Sequence, residues 1–287
     1  MINTSQEIFV GSMQLQVHDE ENNLSFNLLL EYPCYQVSSP IKFGPYTMDV
    51  SPDAKICEGQ FPLIIISHGN GGSHLIYRSI STYLAKRGYI VAMIEHYGNN
   101  RNNNELEYTI RNLQYRPRHV SLSIDYLLSQ PLFGEHISKD KIVIIGHSMG
   151  GYTALALAGG IPHTEEGIKV EVNKDDRIKA LVLLAPAAGW FKHSMHDVNI
   201  PILLIMAEHD IFTPAWNADI IKNGIPDKSL VNHHEIKNAG HYSFITPFPE
   251  AMKNQNFPPS TDPDGFDREA FHQILPKEIF VFLNEKL

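Results

Sequence analysis

Short, almost wholly apolar runs recur along this chain, and each is followed by residues at helical spacing. Pro62-Leu-Ile-Ile-Ile-Ser67, Tyr89-Ile-Val-Ala-Met-Ile94 and Lys141-Ile-Val-Ile-Ile-Gly146 are each about a strand in length. A run of that length without polar alternation suits a strand buried on both faces. Further strands are predicted at 178–184, 201–206 and about 230–236. Helices are predicted over 74–86, with Leu75, Ile76, Ile80, Tyr83 and Leu84 on one face and Gly88 as the stop, and over 117–129, with Val120, Ile124, Leu127 and Leu128 together. Others are expected at 149–158, about 214–223 and 268–285, the last kinked at Pro276. Strands alternating with helices require a mostly parallel sheet covered on both faces. Residues 8–17 and 24–32, split by a polar break, read as an antiparallel hairpin, and the Pro-, Gly- and Ser-rich 33–60 as a long irregular connection. No period of 20–50 residues repeats, so a solenoid is excluded. The expected fold class is α/β, in one domain over 1–287.

Composition narrows the function classes. At 43% hydrophobic and 19% charged the chain can bury a sizeable core. A formal charge of −9 argues against a nucleic-acid partner, which needs clustered Lys and Arg. No apolar stretch approaches the roughly 18 residues that span a bilayer. The first residues, Met1-Ile-Asn-Thr-Ser-Gln-Glu7, have neither a basic start nor an apolar run, so a cytoplasmic location is expected. Cys34 and Cys57 fit no metal-ligand or redox spacing and are expected as free thiols.

Gly146-His147-Ser148-Met149-Gly150 falls where a buried strand becomes a helix. In this G-x-S-x-G pattern the serine occupies a sharp, strained turn that lifts its hydroxyl above the sheet. The helix that follows aims its N-terminal N–H groups and dipole at the place where an oxyanion would form. A serine nucleophile needs a base, and the base an orienting carboxylate, expected here in the order Ser, acid, His. The strand 201–206 ends in Ala207-Glu208-His209-Asp210, at the sheet end where open α/β folds build sites. Asp210 is the expected acid, with Glu208 as fallback. His241, behind Gly240 in the loop after the last strand, is the expected base. The amides of Met149 and of Asn70, in the loop His68-Gly69-Asn70-Gly71-Gly72, are the expected oxyanion donors. That loop lacks both the Walker ending and the G-x-G-x-x-G spacing, so nucleotide binding is disfavoured.

With those residues on the page, the chain from Phe61 onward resembles the α/β-hydrolase superfamily. More narrowly, Phe61–Gly72, Leu84–Val91, Glu95–Asn99, Arg116-Pro117 and Gly146–Gly151 resemble the predicted dienelactone hydrolases and the platelet-activating-factor acetylhydrolases. Ala207–Pro214 is also similar to the bacterial cutinase-like esterases. The resemblance implies Ser148, Asp210 and His241 as triad, with the Asn70 and Met149 amides as oxyanion hole. The chain departs from true dienelactone hydrolases in carrying serine for their cysteine, and from the acetylhydrolases in having no carboxylate at 183–188.

The expected function is a cofactor-free serine hydrolase acting on small-molecule carboxylic esters through an acyl-enzyme. Amide, peptide or thioester cleavage by the same groups stays open, and so does a non-catalytic binder on the same scaffold. Gly69, His147, Trp190, Tyr242 and Phe244 are expected near the pocket, together with Phe191. The excursions 185–199 and 242–266 are candidate lids, and the polar stretch 97–115 either reaches the mouth or is a solvated loop. His193 and His196 have metal-ligand spacing without a third ligand, so no metal is expected.

Overall fold

The computed structural model describes residues 6–192 and 194–287. In chain order its strands and α-helices are β1 (Phe9–Asp19), β2 (Leu24–Cys34), β3 (Ser39–Phe43), β4 (Tyr46–Pro52), β5 (Phe61–Ser67), α1 (Arg78–Ala85), β6 (Ile90–Glu95), α2 (Ile110–Ser129), β7 (Ile137–His147), α3 (Met149–Leu157), β8 (Ile178–Leu184), β9 (Ile202–Ala207), α4 (Trp216–Gly224), β10 (Val231–Ile236), α5 (Arg268–Phe271) and α6 (Leu275–Lys286). The strands form one sheet in the order β10-β9-β8-β7-β5-β6-β2-β1-β4-β3. From β10 to β6 every neighbour is parallel, while β2 pairs antiparallel with both β6 and β1.

The apolar runs are strands between two layers. Leu63 and Ile65 of β5 face Val120, Ile124 and Leu127 of α2, while Ile64 and Ile66 face Ile80 and Leu84 of α1 and Ile279 and Leu283 of α6. Each such side chain is almost wholly buried and contributes on the order of 1.5–3 kcal/mol. This double coverage fixes the centre of the sheet, where β5, β7 and β8 lie side by side and end at the same edge.

Three expectations are corrected. Residues 33–60 are not wholly irregular, because β3 and β4 pair as a second hairpin around Gly44, whose φ is 57°. Tyr46, Met48 and Val50 alternate inward, and Pro40 sits on the outermost strand, where a missing N–H breaks no ladder. Helix α2 begins at Ile110, capped by the Thr109 side chain, and runs straight through Pro117. Proline cannot donate to the Leu113 carbonyl, and the Tyr152 hydroxyl donates there instead at 3.0 Å. At the other end Pro276 does not kink a helix; it opens α6 in its first turn, after the short α5.

Candidate active site

Ser148 stands between β7 and α3 with φ 55° and ψ −119°, a conformation non-glycine residues rarely hold. Its neighbours impose that strain. The Ser148 N–H donates to Leu184 O at 3.1 Å, and its carbonyl accepts from the Gly151 and Ala187 amides at 2.8 and 2.9 Å. A Cβ on Gly146 would lie 2.2 Å from Gly150 O, and one on Gly150 would lie 1.9 Å from Ser67 O. Only glycine fits at either position of this turn.

Asp210 follows β9 and His241 follows β10, so all three residues stand at the carboxyl end of the sheet. The His241 Nδ1–H donates to Asp210 Oδ2 at 2.7 Å. The Thr213 hydroxyl donates to the same oxygen at 2.7 Å, and the Phe212 and Thr213 amides donate to Oδ1 at 2.8 Å each. Burial alone would raise the Asp210 carboxyl, but the bonds from His241 and Thr213 outweigh it and hold the group below its ordinary range. Glu208, the fallback acid, lies at the surface with Lys237 and the Asn238 amide. Ser148 Oγ makes no hydrogen bond among the described residues, so the structure joins acid to base but does not close base onto serine. Such contacts often tighten only with substrate present.

His241 is braced from two sides. The buried His147 donates from Nε2–H to His241 O at 3.0 Å and accepts at Nδ1 from the Tyr77 hydroxyl at 2.9 Å. Burial, with His241 close by, pushes the His147 ring down to about 3, so it stays neutral. From the other side Ser243 Oγ accepts from the Gly240 amide and donates to Asp262, which is ion-paired with the buried Arg268 at 2.8 Å. Arg268 also donates to Pro259 O and Thr261 O. These bonds tie 242–266 beside the His241 turn, and no residue of that excursion lines the main cleft.

Met149, as the first residue of α3, has an N–H without an intrahelical acceptor. Asn70, in the loop after β5, lines the same cleft as Met149. Its side chain bonds Glu107 and accepts from Asn99 at 2.6 Å, and Asn99 accepts from Arg116 at 2.6 Å. Arg116 is wholly buried and has no carboxylate partner among the described residues; its acceptors are Asn99, Thr153, Ser67 and the His68 carbonyl. Burial lowers its guanidinium to about 9.

A cleft of about 570 Å³ opens over Ser148 and Met149, bounded by Asn70, Asn112, Trp190 and Phe212. Of the expected pocket residues only Trp190 lines it. Gly69 is buried beneath Ser148, where a Cβ would come within 3.1 Å of the serine Cβ. His147 and Phe244 are buried behind the His241 turn. Tyr242 packs on the outer side of Phe212 and His241, and Phe191 is stacked on Tyr152 in the core. Cys34 and Cys57 are buried free thiols, and burial raises both. His196 is exposed beside Asp197, and His193 lies outside the described residues. No group of three or more metal-ligating side chains occurs among the described residues, and none of their helices is long and apolar enough to cross a membrane. No local pattern points to Tyr77, 70 positions from the ring it touches. Thr213 was legible as the last residue of an Asp-x-x-Thr turn.

Comparison with known proteins agrees with this architecture. A family model described as the alpha/beta hydrolase fold matches residues 62–200. Platelet-activating factor acetylhydrolase from Bos taurus is 31% identical over 157 residues, covering 39% of this chain and 35% of the relative. Cutinase est1 from Thermobifida alba is 25% identical over 184 residues, covering 63% and 53%. The chain thus spans only about a third to a half of the length of these curated relatives. Among solved structures, a ferulic acid esterase from Streptomyces cinnamoneus superposes with a TM-score of 0.73 at 16% identity, covering 99% of this chain and 91% of that one. A dienelactone hydrolase from Anabaena variabilis gives 0.58 at 17% identity, covering 96% and 99%. The chain has the α/β-hydrolase fold and, over part of its length, is similar in sequence to platelet-activating factor acetylhydrolases and to cutinases.

Proposed function

We propose that the protein is a serine hydrolase that cleaves small carboxylic esters. The observation that carries this reading is Ser148 on its strained turn, lining the cleft at the start of α3, with the hydrogen-bonded Asp210–His241 pair at the ends of β9 and β10 in the same sheet. The named activities of the similar proteins, acetylhydrolase, cutinase and ferulic acid esterase, support the same class.

In the proposed reaction His241 Nε2 takes the Ser148 proton as Oγ bonds to the ester carbonyl carbon. The carbonyl electron pair moves onto oxygen, where the Asn70 and Met149 N–H groups stabilise it. Collapse breaks the bond to the alkoxy oxygen, which leaves as alcohol with the proton from His241. A water then gives its proton to His241 and attacks the acyl carbon, and Ser148 regains the proton as the acid departs. Asp210 holds the ring in the tautomer that presents Nε2 and stabilises the imidazolium.

The test is labelling by a fluorophosphonate together with hydrolysis of p-nitrophenyl esters from acetate to palmitate. Wild type is expected to label at Ser148 and turn over, and Ser148→Ala to do neither. Folded wild-type protein that does neither overturns the proposal and favours a non-catalytic binder.

A further inference from the structure

One side chain in the cleft wall is left short of partners. Asn112, in the first turn of α2, is 4% exposed and lines the cleft with Ser148, Met149 and Trp190. Its Oδ1 is buried and has no hydrogen-bond partner among the described residues. Nearby carboxamides are engaged: Asn70, Asn99 and Asn104 bond one another, Glu107 and Arg116. The Thr109 hydroxyl that could have satisfied Asn112 instead caps its backbone N–H at 3.1 Å and donates to Leu106 O. A buried acceptor without a donor is destabilising, so a fold keeps one at low cost only where something else supplies the donor. The charged residues of the cleft, Glu165 and Glu166, are also acceptors, and among the described residues no Lys or Arg lines it.

Resting on the esterase reading above, we infer that Asn112 is a specificity residue that accepts a hydrogen bond from a hydroxyl on the substrate. The preferred substrates are then neutral hydroxyacyl esters rather than plain alkyl esters. Anionic acyl groups are disfavoured, because they would meet an acceptor-only wall and two glutamates. Sites built to bond a substrate hydroxyl discriminate strongly against the analogue that lacks it, since the protein group is then stranded.

The test compares matched p-nitrophenyl esters: lactate with propionate, 3-hydroxybutyrate with butyrate, and 6-hydroxyhexanoate with hexanoate. In at least one pair wild type is expected to favour the hydroxylated ester by about tenfold or more in kcat/KM. Asn112→Leu should bring that ratio close to one, and Asn112→Asp, which keeps the acceptor, should retain it; thermal melting of both variants separates misfolding from lost recognition. Turnover of every pair at equal rates, or a preference that survives Asn112→Leu, overturns the inference while leaving the esterase reading intact. Binding to Ser148→Ala, followed by ligand-observed NMR, separates the two in the other direction. A hydroxyl preference there that Asn112→Leu removes upholds the inference even if wild type hydrolyses nothing. Equal binding of each pair there overturns it.

Discussion

Histidines stand on both sides of Ser148, and their partners differ. On one side His241 donates to a carboxylate, Asp210, the partner that the proposed mechanism needs when the ring takes up a proton. On the other, His68, His96 and His119 are packed around Arg116, and both burial and that guanidinium drive their pKa values down. The same imidazole is therefore proposed as a proton carrier beside one partner and is a neutral hydrogen-bonding strut beside the other. His147 belongs with the struts although it touches His241, because its contacts are a tyrosine hydroxyl and a backbone carbonyl.

The largest expected effect tests the struts. His68, His96, His119, His147 and His272 are all buried and neutral, with His119 and His147 near 3 and His272 near 4. Their folded pKa values lie below the unfolded value near 6.5, so their contribution is whole above pH 6.5 and is lost as pH falls below it. Each ring removes about 1.4 kcal/mol per pH unit, and five together at most about 7 kcal/mol per pH unit. Against a stability of about 5–15 kcal/mol for an ordinary domain, cooperative unfolding is expected between about pH 6 and 5. Urea melts followed by circular dichroism across that range measure the slope, and His119→Phe should reduce it by about one proton. A chain still folded at pH 4 would mean that the buried rings take protons in place.

The carboxylate side is tested by Asp210→Asn. Asparagine preserves the shape but can no longer hold His241 in the tautomer that presents Nε2 to the serine. Turnover of a p-nitrophenyl ester is expected to fall by about 10⁴, equivalent to about 5 kcal/mol, with little change in the thermal melt. A loss of less than tenfold would make Asp210 an ordinary turn-capping residue. The matching change on the strut side, His119→Phe, should leave kcat within a few-fold, because that ring meets Phe26 and His96 and not the cleft.

How much of this could be read in advance follows from the range of the interactions. The elbow, the candidate acid and the candidate base each sit in a short segment whose chemistry is local: glycines two residues either side of Ser148, a strand end before Asp210, a loop glycine before His241. The α/β alternation was legible for the same reason, since a strand buried on both faces has no polar alternation. What local pattern could not carry was the tertiary compensation that lets α2 run through Pro117, supplied by Tyr152 from 39 residues away. The β3–β4 hairpin was obscured by its prolines, although Tyr46, Met48 and Val50 carried the alternation. Arg116 and Asn112 were hidden most deeply. A charged side chain buried without a carboxylate, and a carboxamide left without a donor, are visible only once the surrounding acceptors and donors have been placed.

A carboxylate outside the site extends the comparison with the opposite sign. Glu31 of β2 is fully buried against α1, where Thr82 donates to it at 3.1 Å, but no Lys or Arg bonds it directly. Burial pushes its carboxyl up to about 7, whereas the histidine contacts pull Asp210 down. The folded chain thus holds the Glu31 proton more tightly than the unfolded chain does. The stability this group contributes is full below about pH 4.5 and is lost as pH rises to about 7. The gap between 4.5 and about 7 is worth about 3 kcal/mol, the smallest of the three effects, and it runs against the histidine trend. Glu31→Gln keeps an acceptor for Thr82 without a charge to bury. It should therefore stabilise the protein by up to about 3 kcal/mol at pH 8 and change little near pH 5, as denaturant melts at the two values would register. An equal change at both values would mean that Glu31 is ionised in the folded chain, held by the nearby Arg78 and Lys86. Burial would then not be what separates it from Asp210.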